Sequence, residues 1–381
     1  MEAIYLDHAA TTPMDPRVLE AMQPVYQEVF GNPSSVHSFG RKARQWLDAA
    51  RRVMAGSIGA NEKEIIFTSG GTEADNLALI GTAMANRDKG NHIITTVQEH
   101  HATLHTAEYL ETQGFKVTFL PVDESGSVKV EHLEQALRDD TILVSVMYVN
   151  NETGVVQPIA EIGAVLRDHQ AYFHTDAVQA FGLLDLDVTE LGVDMLTVSS
   201  HKINGPKGIG FLYAADHVKL QALQFGGEQE RKRRPGTENV PGAVGFQKAV
   251  ELAQKNKEAN QKRYQHFRQL FLDELRNENI RFDVNGEETA TVPSIVNLSF
   301  PGTNVETLLM NFDLDGVAAS SGSACTAGSV EPSHVLSAMF GSDHACTTNS
   351  IRFSFGSYNT EENVTEAAWR VARIVKRLTE R

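Results

Sequence analysis

EIIFTSGGTEADNLALIGTAMANRDKGNHIITTVQEHHATLHTAEYLETQGFKVTFL, residues 64–120, sets three apolar runs apart by two helix-length stretches. The runs at 64–68, 92–96 and 116–120 have strand length and are rich in β-branched and aromatic side chains. Between them, 73–85 and 102–111 are long enough to be helices. Further apolar runs follow at 142–147, 171–175, 195–198 and 209–213, with a helical stretch at 159–167. Such alternation predicts an α/β fold, a mainly parallel central sheet covered by helices. Functional residues are then expected in the loops at the carboxyl ends of the strands.

Beyond the sheet the pattern changes. Residues 243–278 read as one or two helices leaving the first unit. Scattered strands at 292–300 and 350–355 follow, with helices at 306–311, 332–340 and 361–378, which predicts a smaller α+β domain. The expected division is a large domain over 15–255 and a small C-terminal one over 256–381, joined by an N-terminal segment, 1–14. A chain of 381 residues has length for both. The Gly- and Ser-rich run 318–328 lacks periodicity and reads as a loop free to move over a site.

Composition removes several classes of function. With 41% hydrophobic and 22% charged residues, the chain is neither disordered nor fibrous. A net charge of -15 argues against direct nucleic-acid binding and against anionic membranes. No apolar window approaches the roughly 18 residues of a membrane span. Two cysteines exclude a multi-bridge scaffold. The start, MEAI, has no signal-like run, so a cytoplasmic location is expected.

Four stretches carry residues suited to chemistry. In FTSGGTEADN, 67–76, glycines precede a helical pattern, so free amides there suit a phosphate or carboxylate, although a Gly turn with a Thr cap reads equally well. In TVSSHKINGPKGIGFLY, 197–213, Lys202 lies between two apolar strands; burial there would lower its pKa toward that of an amine nucleophile, with Lys207 as the local rival. In YFHTDAVQ, 172–179, Asp176 follows a strand and can pair with a protonated ring nitrogen or simply cap the next helix. A phosphate cup, a lysine and an acid are the fixtures that pyridoxal phosphate requires. In SSGSACTAG, Cys325 has small neighbours and suits nucleophilic attack, or it is a small buried hydrophobe; Cys346 reads as structural. His101 and His105 share a helix face but lack a third ligand, so no metal is expected. His100, at a strand-to-helix junction, suits acid–base work or stacking on a flat ring.

Taken in order, YLDHAATTP, GNPSSVHSFG, SGGTEADN, QEHHATLHT, VNNETGVVQPI, HTDAVQ, SSHKINGPKG, RRPGTEN, SSGSACTAG and SIRFSFG run nearly end to end. Through them the chain resembles the cysteine desulfurases, pyridoxal-phosphate enzymes of the aminotransferase class V group and of fold type I. The resemblance implies that Lys202 binds the cofactor, pyridoxal 5'-phosphate, as a Schiff base, and that Asp176 faces its ring nitrogen. Gly71, Thr72, Ser199 and His201 would hold the phosphate, and Asn151 and Gln179 the region of the ring oxygen. His100 would stack on the ring and move protons. Thr237 would reach the neighbouring subunit's phosphate, which implies a homodimer. Arg352 and Asn32 would bind the substrate, L-cysteine, and Cys325 would take its sulfur as a persulfide.

The implied activity is conversion of L-cysteine to L-alanine, with the sulfur passed to an acceptor protein. Relatives serving an iron–sulfur scaffold often carry a longer tail than the one after the last helical pattern here, and many have arginine where Ser357 stands. Supply of a tRNA-thiolating enzyme is therefore favoured over iron–sulfur assembly. Rival readings are a selenocysteine lyase-like activity, another pyridoxal-phosphate enzyme such as an aminotransferase, and a non-catalytic sulfur carrier. The cluster Arg231-Lys232-Arg233-Arg234 reads as a solvated or interface basic patch.

Overall fold

The computed structural model describes residues 2–286, 290–322, 325–326, 329–330 and 332–380, with the backbone alone at 325, 326, 329 and 330. A short strand β1 (Ile4–Tyr5) leads into helices α1 (Pro16–Glu28) and α2 (Ser38–Gly56). Strands and helices then alternate through β2 (Ile65–Thr68), α3 (Gly71–Ala85), β3 (His92–Thr96), α4 (His101–Thr112), β4 (Lys116–Leu120), α5 (Val130–Ala136), β5 (Thr141–Ser145), α6 (Ile159–Leu166), β6 (Tyr172–Asp176), α7 (Val188–Leu191), β7 (Met195–Ser199) and β8 (Gly210–Ala214). After α8 (Val240–Asn277) come β9 (Asp283–Val284), β10 (Ile295–Ser299), α9 (Val305–Leu314), β11 (Val317–Ala318), β12 (Cys325–Thr326), β13 (Ser329–Val330), α10 (His334–Phe340), α11 (Cys346–Asn349), β14 (Ser350–Ser354) and α12 (Glu361–Thr379).

Seven strands form the central sheet in the order β2-β8-β7-β6-β5-β3-β4. The five from β7 to β4 are parallel, and β8 runs against both of its neighbours. The exception has a length cause. A parallel crossover needs a dozen or more residues, and the link from Ser199 to Gly210 is too short to provide one. The central strands are buried at every residue, because helices cover both faces; that is why they read as continuous apolar runs without alternation.

Residues 243–278, read as one or two helices, lie mostly in the single helix α8. Its first turns bury Ala243, Phe246 and Val250 in the core of the large sheet. Further along, Phe267, Phe271 and Leu275 join a second core with Leu298, Phe353, Val371 and Ile374. The N-terminal segment crosses between these cores: Ile4 and Leu6 pack in the second, Ala9 in the first. The run 318–328, read as an irregular loop, begins at the end of β11 and contains β12, whose backbone pairs antiparallel with β13 just beyond the run. Two-residue strands are too short to leave a period in the sequence. The expected mobility of that run lies outside the described residues.

One buried ion pair ties the sheet edge to the segment before α8. Arg51 of α2 donates from both terminal nitrogens to Glu230 at 2.6 Å, and Glu230 also accepts the Phe67 amide at 3.1 Å. Glu230 is held at φ 43°, a left-handed conformation it keeps only under such constraint. Removing one partner of a buried pair strands the other charge. Glu230→Ala is expected to lower unfolding stability in urea by about 3–5 kcal/mol, with most of the loss recovered in Arg51→Met/Glu230→Leu. A loss below about 1 kcal/mol, the range of an exposed pair, would show that the pair does not brace this edge.

Candidate active site

The carboxyl ends of β2, β3, β6 and β7 deliver most of the side chains singled out from sequence. Lys202 ends a short turn after β7, and its Nζ donates to the carbonyls of Ala9 at 2.5 Å and Ala10 at 2.9 Å. The N-terminal segment therefore holds the lysine from one side. Burial and the positive charge of Arg352 push its pKa down to about 8, against the opposing pull of Asp176 and Asp7. Asp176, the last residue of β6, accepts the Val178 amide at 2.9 Å. Burial raises its pKa to about 6 although that hydrogen bond and Lys202 both favour the anion.

His100 caps α4, its Nδ1 accepting the Ala102 amide at 3.1 Å, so the proton of the neutral ring resides on Nε2. Lost hydration, with Lys202 and neighbouring histidines, pushes its pKa down to about 4. One ligating atom each of Asp75, His100 and Asp176 lies within 4.8 Å of the others. A cation is poorly served there, because burial and the adjacent Asp176 hold Asp75 well above the usual carboxylate range. A ring nitrogen that can itself carry a proton suits the pair better.

An anion cradle lies beside this group. Helix α3 starts at Gly71 with no side-chain cap, leaving the amides of its first turn without intrahelical partners. A Cβ at Gly71 would stand 3.0 Å from Val178 and 3.7 Å from Ser199, so a side chain would fill the space. His201 reaches Thr11 Oγ1 at 3.1 Å, and burial and the charges of Lys202 and Lys207 push its pKa down to about 4. Gln179 donates to Ala9 O at 2.9 Å, the carbonyl that Lys202 also uses. Uncapped amides, a buried acid and a partly neutral lysine are a donor set that fits a phosphorylated pyridine aldehyde.

Arg352, on β14, is buried. Its Nη1 donates to Asn151 O and its Nη2 to Asp7 Oδ1, both at 2.9 Å, while Nε has no partner. A buried planar cation with one unpartnered donor has the chemistry to bind a small carboxylate. Asn32 and Thr237 are exposed and share no hydrogen bond with this group. Arg44 links their segments, donating to Pro33 O at 3.2 Å and pairing with Glu238 at 3.3 Å. The Cys325 side chain lies outside the described residues. Cys346 is buried, as read, and burial pushes its thiol up to about 11. The basic cluster is largely engaged locally, Arg231 with Lys63 O, Lys232 with Glu228 and Arg234 with Glu73.

Sequence reasoning missed Asp7, Glu99 and Glu152. Glu99, buried under the cleft, accepts from Thr96 and the Met147 amide, and burial pushes its pKa up to about 8. The signal for it was its place beside His100. For Glu152 it was the turn chemistry of VNNETG.

The aminotransferase class-V family profile matches residues 4–366. The IscS 1 protein of Bacillus subtilis (strain 168) is 61% identical over 379 residues, covering all of both chains. Cysteine desulfurase IscS of Methanosarcina thermophila is 48% identical over 99% of this chain and 93% of its own. The chain belongs to the cysteine desulfurases. A solved NifS-like protein superposes with a TM-score of 0.92 at 36% identity, covering 98% of this chain and 99% of that one. As a cysteine desulfurase the chain is a pyridoxal-phosphate enzyme, and its sheet is the fold-type-I sheet expected from sequence. No helix among the described residues is long and apolar enough to cross a membrane.

Lys202 can attack a carbonyl only when neutral. Its neutral fraction grows as pH rises toward the folded pKa of about 8 and saturates above it, well below the ordinary lysine value of 10.5. Covalent capture of pyridoxal phosphate by cofactor-stripped protein, followed by stopped-flow absorbance, is expected to accelerate up to about pH 8 and then level. Acceleration continuing past pH 10 would contradict a depressed lysine.

Proposed function

We propose that this cysteine desulfurase converts L-cysteine to L-alanine and passes the sulfur through a persulfide on Cys325 to an acceptor protein. The observation that carries this reading is the convergence of a lysine depressed to about 8, a buried acid and a neutral histidine, with the buried Arg352 close enough to act on that lysine. Gly71, Thr72, Ser199 and His201 would hold the phosphate, Asn151 and Gln179 the region of the ring oxygen, and Thr237 would reach the partner's site. When bound, pyridoxal phosphate supplies a sink for the electron pair left on the substrate carbon, with Asp176 at its ring nitrogen.

The remaining work belongs to side chains. Arg352 fixes the substrate carboxylate, and Asn32, on the face that carries Thr237, would serve a substrate only across the dimer. Lys202, poised between its protonation states near neutral pH, takes the Cα proton at Nζ and returns it. His100 offers the Nε2 proton. The Cys325 thiolate attacks the substrate sulfur: an S–S bond forms, the C–S bond breaks with its electron pair staying on carbon, and protonation there gives alanine.

A homodimer is supported by the face that carries Asn32 and Thr237. Phe30, Val36 and Phe39 are exposed on the same stretch as Asn32, and Phe225 is 88% exposed in the segment leading to Thr237. A boundary near residue 255, between domains 15–255 and 256–381, is supported by the change in the packing of α8 from Val250 to Tyr264. For the acceptor, a tRNA-thiolating enzyme is the first choice and an iron–sulfur scaffold the second, because Ser357, bonded to Asn204 at 3.2 Å, offers no cation at the rim.

The test is alanine and protein-bound persulfide formed from L-cysteine by the native protein and Cys325→Ala, with each acceptor added in turn. Cys325→Ala is expected to load cofactor yet lose persulfide and nearly all alanine formation. Only the tRNA-thiolating enzyme is expected to accelerate native turnover; acceleration by the scaffold alone would reverse the choice. Equal alanine formation by both proteins would remove Cys325 from the chemistry.

A further inference from the structure

Glu152 lies in the turn after β5, is buried to 1% exposure, and has no part in the chemistry described above. Its backbone is fixed on both sides: the amide donates to Asn150 Oδ1 at 2.9 Å, and the carbonyl accepts from Asn297 Nδ2 at 3.2 Å. The carboxylate points at the two ends of the stretch that contains Cys325. At the far end, Ser333 Oγ donates to Oε2 at 2.5 Å while accepting the Leu336 amide at 3.1 Å as the cap of α10. At the near end, a Cβ built on Gly322 would run into the carboxylate itself, so the backbone there lies directly against it. His334 approaches Oε1 with Nδ1 at 3.9 Å and donates from Nε2 to Glu99 O at 2.9 Å.

Both feet of the Cys325 stretch thus meet at one carboxylate, adjacent in sequence to Asn151, whose carbonyl holds the Arg352 fork. We infer that Glu152 is a positioning residue that clamps residues 322 and 333 together, and so sets the reach of the Cys325 sulfur toward the substrate held by Arg352. The inference rests on the reading of Cys325 as the sulfur-accepting nucleophile. A tethered nucleophile has an effective concentration fixed by where its tether is rooted, so a shifted root slows the transfer without altering how substrate or cofactor binds. A glycine at 322 follows from the same contact, since any side chain would displace the carboxylate from Ser333.

The test measures cofactor absorbance, KM for L-cysteine, kcat, and the single-turnover rate at which persulfide appears on Cys325. In Glu152→Ala and Ser333→Ala, absorbance and KM are expected to hold while kcat and the persulfide rate fall on the order of tenfold or more. Glu152→Gln keeps an acceptor oxygen for Ser333 and is expected to recover most of the rate. Gly322→Ala is expected to show the same loss, and Gly322→Ala/Glu152→Ala no more than either change alone, because the parts act as one clamp. Should Glu152→Ala fail to fold, Ser333→Ala and Gly322→Ala carry the test. A native persulfide rate in those variants, fully additive losses, or a change confined to KM or cofactor absorbance would overturn the clamp. If the native protein itself forms no persulfide on Cys325, the reading of Cys325 fails instead.

Discussion

The buried side-chain amide of Asn150 joins the loops from which the candidate site is built. Its oxygen accepts the amides of Glu152 and Thr153 at 2.9 and 3.0 Å, and its nitrogen donates to Gln98 O at 3.1 Å. The turn after β5 is thereby tied to the end of β3, two residues before His100. From that turn Asn151 O holds Arg352, and Glu152 holds Ser333. A buried amide that satisfies its donors and acceptors this fully resists displacement, because each broken bond would leave a polar group without water. One turn thus ties together the loop of His100, the Arg352 clamp and the root of the Cys325 stretch.

Electrostatics in the cleft are decided by burial more than by pairing. Asp176 rises to about 6 despite the charge of Lys202, and Lys202 falls to about 8 despite Asp176 and Asp7. Desolvation disfavours both charges, and the low dielectric that strengthens attraction penalises ionisation more. Below them Asp75 and Glu99 are also raised by burial, so the floor of the cleft carries less negative charge than its three carboxyl groups suggest. The result is a set of groups close to neutrality, which is the condition for moving a proton in either direction near neutral pH.

The sheet was legible because burial on both faces turns each central strand into an apolar run, and because α3, α4 and α6 between them are long enough to read as helices. Helices α1 and α2 went unread, and the strands β1, β11, β12 and β13 are too short to show a period. Lys202, Asp176 and His100 were legible as residues at strand ends, which is where the structure brings them together. Asn32 and Thr237 share no hydrogen bond with them, and their relation to the site came through resemblance alone. Asp7 and Glu152 could not be read from spacing, since their contacts with Arg352, Gly322 and Ser333 join distant parts of the chain.

The most direct measurement of the sulfur-transfer chemistry is peptide mass spectrometry of the native protein, quenched after one turnover of L-cysteine. One added sulfur atom on the peptide containing Cys325, none on that containing Cys346, and one alanine per added sulfur is the predicted result. Alanine with no sulfur on the protein, or sulfur on Cys346, would contradict it.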